Sequence, residues 1–227
     1  MSRLLRAVLH DQDSYVLLLV LLLVEYFALM VIPQDRWSRV VSAVMVAGTL
    51  LLGLRTSGVG RRTLRAASIA SAVGAVAVIV PSLASRPVLV GQAYAVLGVL
   101  LAMTPPAVLR RVLHHQTVTT ETIAGAVCVY VLLGLVFAFL YLAIGSFAPN
   151  AFSQPTGSEP KGSATYLYFS FISLTTVGFG DIVPVGKVAR ALVVLEALLG
   201  QIFLVTTVAR LVALFSAQGP RPPRLRR

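Results

Sequence analysis

Between residues 14 and 215 the chain is a succession of long apolar runs separated by short basic gaps. That alternation leaves few folds open. Backbone N–H and C=O groups in hydrocarbon find no water, so only helices or closed barrels span a bilayer. A spanning helix needs about 20 mostly apolar residues, within a range of about 17 to 25. Six candidates are read: residues 14–32, stopped by Pro33; 40–54; 66–84; 88–103, stopped by Pro105 and Pro106; 122–146; and 188–215. The second is short and relies on Arg39 or Arg55 snorkelling to an interface. The first exceeds a signal-peptide core and no small-x-small cleavage site follows it, so it is expected to be a retained anchor. The expected fold is an all-α integral membrane protein.

Composition agrees with lipid as the solvent. Hydrophobic residues make up 57% and charged residues 12%, where soluble chains run at roughly half and about a quarter. A net charge of +11 raises nucleic acid as a partner for a soluble protein. Here the basic residues sit in the gaps between apolar runs, without interleaved aromatics, and no nucleic-acid partner is expected. With an even number of spans both termini share a side. That side holds Arg3, Arg6, Arg55, Arg61, Arg62, Arg65, Arg110, Arg111 and the tail arginines Arg221, Arg224, Arg226 and Arg227. Opposite lie Arg36, Arg39, Arg86, Lys161, Lys187 and Arg190. The positive-inside rule then puts both termini in the cytoplasm of a multi-pass plasma-membrane protein. Cys128 is alone in an apolar run, so it offers neither a disulfide nor a thiolate metal site and reads as a small buried hydrophobe.

The gap between the fifth and sixth runs differs in kind. Residues 147–162 are polar and rich in Pro, Ser and Gly, which reads as an exposed loop. Residues 164–174 then form a semi-apolar aromatic stretch too short to span. The string TTVGFGD follows at residues 175–181. A short helix followed by glycine-rich backbone, between two spans, is a re-entrant element, and such backbone survives at membrane depth only where it lines water or is buried in protein.

Residues 176–181, TVGFGD, resemble the selectivity filter of the potassium channel family in its GFG form, the filter that serves as a standard example of carbonyl coordination. The resemblance implies that Thr176, Val177, Gly178, Phe179 and Gly180 bind K+, with backbone carbonyls and the Thr176 hydroxyl replacing the ion's hydration shell. Pointing successive carbonyls inward requires φ > 0, which glycine adopts cheaply, hence Gly178 and Gly180. Val177 and Phe179 are expected to turn outward against the pore helix. The C-terminal end of that helix, near Thr175, directs partial negative charge at the ion. In the family an aspartate after the filter bonds an aromatic residue of the pore helix; here these are Asp181 and Tyr168, where many members carry tryptophan. The position that holds a glutamate in some members is Ile172, so their carboxylate pair is absent and inactivation is left open. Gly200 lies where the family has its inner-helix hinge glycine, and hinge and close packing are both open readings. The stretch GQIFLVTTVARLV from Gly200 resembles bacterial inner helices, with Arg210 snorkelling to the cytoplasmic interface. One pore loop per chain implies a homotetramer.

The implied layout is a cytoplasmic N-terminus (1–13), a four-helix region like a voltage sensor (14–104), a cytoplasmic linker (105–121), a pore domain (122–216) and a basic cytoplasmic tail (217–227). The fourth helix, VLVGQAYAVLGVLLAM, carries no arginine or lysine, so steep voltage gating is not expected. Glu25, some seven residues from the outer end of its helix, reads as structural, paired with Arg86 or reaching water. Glu196 is expected to find a partner near the pore helix. His114 and His115 read as interfacial residues ahead of an internal pH sensor, and they lack the neighbours of a metal site. The tail GPRPPRLRR is too short for a regulatory domain and suits anionic lipid headgroups, ahead of a PxxP-type peptide ligand. Rival readings are a potassium-uptake transporter, disfavoured by the single intact TVGFGD, and a non-conducting accessory subunit. No enzyme constellation and no cofactor beyond K+ in the filter are read.

Overall fold

The computed structural model describes residues 15–31, 36–56, 60, 62, 64–66, 68–70, 72–74, 76, 87–114, 118–155, 160 and 162–217. The elements run α1 (Tyr15–Val31), α2 (Arg36–Thr56), α3 (Pro87–Leu101), α4 (Thr104–His114), α5 (Thr120–Phe147), β1 (Phe152–Ser153), α6 (Ser163–Leu174), β2 (Val183–Pro184) and α7 (Lys187–Ala217). The third expected run, 66–84, falls only in part on described residues, and those are helical. Three stretches are long and apolar enough to cross a membrane: Tyr94–Leu113, Thr120–Phe147 and Lys187–Ser216. Tyr15–Val31 and Val44–Thr56 are shorter apolar helices.

The scaffold is α5. Thr119, in extended conformation, accepts a hydrogen bond from the Thr122 amide at 3.2 Å, and the Thr122 hydroxyl lies 3.4 Å from the Thr119 amide, a reciprocal cap. Glu121 in the first turn meets the positive end of the helix dipole. At 28 residues the helix is about 42 Å long. It is buried over most of its surface because other helices cover it on several sides.

The N-terminal helices pack directly on this scaffold. On α1, Tyr15, Leu18, Leu22, Glu25 and Leu29 recur at helical spacing and are all buried. The Tyr15 amide donates to the Glu121 carboxylate at 2.8 Å, and the Cys128 thiol donates to the Tyr15 carbonyl at 3.4 Å. Small residues bring α3 close to α5: a Cβ on Gly98 would lie 3.2 Å from the Phe139 Cβ, and one on Gly91 2.4 Å from the Ser146 Cβ.

Two expectations are corrected here. Residues 104–114, expected within a linker, are the helix α4. Pro105 and Pro106 occupy its first turn, where their missing N–H groups cost nothing, so the prolines that end α3 also begin α4. Val108 and Val112, four residues apart, are buried while Arg110 is exposed. The segment expected as an exposed loop, 147–162, is pinned at its middle. Ala151 and Phe152 are buried, and β1 pairs antiparallel with β2, Phe152 opposite Pro184 and Ser153 opposite Val183. The cause is one aromatic side chain in a polar stretch. Phe152 inserts among Tyr141, Tyr166 and Phe169, with ring centroids 5.5, 5.3 and 5.4 Å away.

Candidate ion-conduction site

Gly162, at φ 85°, turns the chain into α6, and α6 ends at Leu174 with Thr175 still in helical conformation. Beyond it the backbone folds back on the helix end. The Thr175 amide donates to the Phe171 carbonyl and the Thr176 amide to the Ser173 carbonyl, each at 3.0 Å. The Val177 and Gly178 amides both reach the Ile172 carbonyl, at 2.9 and 3.1 Å. Left-handed φ values recur at Thr176 (60°), Gly178 (54°) and Gly180 (77°). The glycines adopt these freely. Thr176 is a β-branched residue in a conformation that strains it, and local strain of this kind gathers at functional sites. Alternating φ sign along a segment whose amides face the helix end leaves its carbonyls to the other side. Among the described residues, no backbone hydrogen bond outside helices and strands ends on a carbonyl of residues 176–180.

The whole segment 175–181 is exposed. Val177 and Phe179, expected to pack on the pore helix, are 54% and 70% exposed. Within one chain they touch too little to be covered, because the segment lies at the edge of the fold. Tyr168 and Asp181 are brought together, hydroxyl to carboxylate, by a side-chain hydrogen bond. β2 follows directly, and its pairing with β1 anchors the far end of the segment. The Arg190 Nε donates to the Pro184 carbonyl at 3.1 Å, fixing the turn into α7.

Helix α7 shows one face to its own chain. Ala189 and Glu196 are buried, Leu192, Val193 and Phe203 are partly buried, and all lie at helical spacing. Gly200 completes the stripe. A Cβ there would meet Leu174 at 2.7 Å (Cδ1) and 2.9 Å (carbonyl oxygen), so the glycine serves close approach to the last residue of α6. Tyr130 donates to the same Leu174 carbonyl at 3.2 Å. Glu196 bonds Tyr141 at 2.6 Å and Ser170 of α6 at 2.5 Å. Its expected partner near the pore helix is thus Ser170. Sequence reading missed Ser170, Tyr141 and Tyr130; a lone serine in an aromatic helix was the available signal.

Other singled-out residues lie away from this segment. Glu25 is buried and accepts from Thr49 at 2.5 Å, while Arg86 falls outside the described residues, as do His115 and the tail beyond Ala217. Arg210 donates to the Leu113 carbonyl, joining α7 to the last turn of α4.

Residues 125–217 match the ion-channel family model. The match begins within α5 and ends with α7, so it contains α6 and the left-handed segment. The inward rectifier potassium channel Kirbac3.1 of Paramagnetospirillum magnetotacticum is 32% identical over 87 residues, which cover 38% of this chain. The chain spans 27% of that relative's length. No solved structure matches the chain. Together with the apolar helices, these findings support a membrane protein carrying an ion-channel domain.

Proposed function

We propose that the chain is one subunit of a potassium-selective channel, conducting K+ passively through a homotetrameric pore at residues 176–180. The observation that carries this reading is the backbone of that segment. Left-handed φ at Thr176, Gly178 and Gly180, with the Val177 and Gly178 amides bonded back to Ile172, turns a row of carbonyls away from the chain that makes them. Carbonyls unpaired in the protein suit a cation that has shed its water, and four copies are needed to surround it. The Kirbac3.1 similarity supports potassium as that cation. Asp181 and Tyr168 brace the outer end of the filter, and the C-terminal end of α6 points its dipole at the ion.

Assembly is supported by α7. Leu198, Ile202, Val205 and Val208 are each more than half exposed within one chain, an apolar surface available to neighbouring subunits and lipid. The layout proposed is six spans, with both termini cytoplasmic in the plasma membrane and the basic gaps on anionic lipid.

Reconstitution tests the assignment. In vesicles with K+ inside and Na+ outside, the purified protein is expected to set a potential near the potassium equilibrium value. Gly178→Ala is expected to abolish selectivity or conduction, because a Cβ opposes the left-handed backbone at that position. Unchanged preference for K+ over Na+ in that variant would sink the filter assignment.

A further inference from the structure

Ser170, Glu196 and Tyr141 form a polar cluster behind the filter segment that coordination of the ion does not use. They stand on α6, α7 and α5 respectively, and each is 0% exposed. The Tyr141 hydroxyl donates to Glu196 Oε2 at 2.6 Å. The Ser170 Oγ lies 2.5 Å from Glu196 Oε1 and 2.7 Å from the Gly134 carbonyl oxygen. A serine hydroxyl has a single hydrogen to donate. The Gly134 carbonyl has none, and an ionised Glu196 would have none either. Ionised, the site would hold two oxygens at 2.5 or 2.7 Å with no hydrogen between them. With a proton on Oε1 every atom has a partner: Glu196 donates to Ser170, and Ser170 donates to Gly134. Neither side-chain partner is basic, and a buried carboxylate without a cation is costly.

We infer that Glu196 is a neutral carboxylic acid whose proton ties α7 to α6, making Glu196 a positioning residue for the filter. The connection is short. Ser170 lies two residues before Ile172, whose carbonyl holds the Val177 and Gly178 amides. Movement of α7 at Glu196 therefore reaches the filter backbone through a helix of 12 residues and two hydrogen bonds. This inference rests on the reading of residues 176–180 as the filter.

Infrared spectra of the purified protein in lipid, compared with Glu196→Gln, test the proton. A carboxylic-acid C=O band present at neutral pH and lost in the variant is expected. Identical bands in that region would show Glu196 ionised and overturn the assignment. Glutamine keeps both a donor and an acceptor, so E196Q is expected to keep the K+ over Na+ permeability ratio of the unmodified protein. Ser170→Ala and E196A remove a partner from a buried polar group and are expected to lower that ratio about tenfold or more. Unmodified selectivity in both would overturn the positioning role. Should E196A fail to fold, S170A keeps the flux test intact. A protein that passes no K+ at all would refute the channel reading, while the infrared comparison would still decide where the proton lies.

Discussion

At the scale of single residues, glycine acts here in two distinct ways. Gly178 and Gly180 are open to space, nothing lying within 4 Å of a Cβ added at either, and what they supply is left-handed backbone. Gly200 is the reverse case: it sits in a helix, and what it supplies is the absence of a side chain. Gly200→Ala forces Leu174 to move, since its carbonyl, 2.9 Å from the new Cβ, is backbone rather than the tip of a side chain. Overpacking of this kind costs about 1–3 kcal/mol, and the displacement occurs next to Thr175 and Thr176. The variant is expected to melt at lower temperature than the unmodified protein and to lose part of its K+ selectivity. A normal melting temperature with altered opening alone would instead favour a hinge.

At the scale of elements, the outer mouth is held by the two-residue pairing of β1 with β2 and by the aromatic cluster around Phe152. Strands this short contribute little by themselves, so burial of the Phe152 side chain is the larger effect. Phe152→Ala is expected to destabilise the fold by about 3–5 kcal/mol, as other buried Phe-to-Ala changes do. Because β2 follows directly on the filter segment, the loss should appear first as faster amide hydrogen exchange over residues 176–186. Exchange that rises equally along α1 and α7 would show that Phe152 supports the whole chain and not the outer mouth. Arg210 makes a comparable link at the other end, its bond to Leu113 satisfying a carbonyl of the last turn of α4.

At the scale of the molecule, charge distribution and assembly are the open quantities. Native mass of the detergent-solubilised protein is expected to give a tetramer, and a species ending at a dimer would refute the proposed pore. Steep voltage opening needs about three to four gating charges per subunit, and residues 88–103 supply no basic residue. Open probability is therefore expected to vary only weakly across about ±100 mV, the range over which such charges act. Anionic lipid is expected to raise activity through Arg62, Arg65 and Arg110, which are exposed, each contact near the surface being worth about 1 kcal/mol. Equal activity in neutral and anionic vesicles would remove the lipid contribution and leave the pore untouched.

The sequence alone determined the helical character of the chain, the short helix between its last two apolar runs, and the glycine positions that take left-handed φ. These are local properties. Apolar length, the reach of a helix and the sterics of a missing Cβ depend on residues close in the chain. The tertiary structure decided the rest. The distance between Ser170 and Glu196, and the place of Gly200 against Leu174, depend on how α6 and α7 cross, which neither segment encodes. The burial of Phe152 inside a polar stretch was hidden for the same reason: the rings that enclose it come from α5 and α6, brought together only when the chain closes around them. The strained φ of Thr176 belongs with these, because a β-branched residue adopts it only where the fold over-determines its backbone. Contacts between residues distant in the chain are selected by packing, and a single sequence records the side chains but not the meeting.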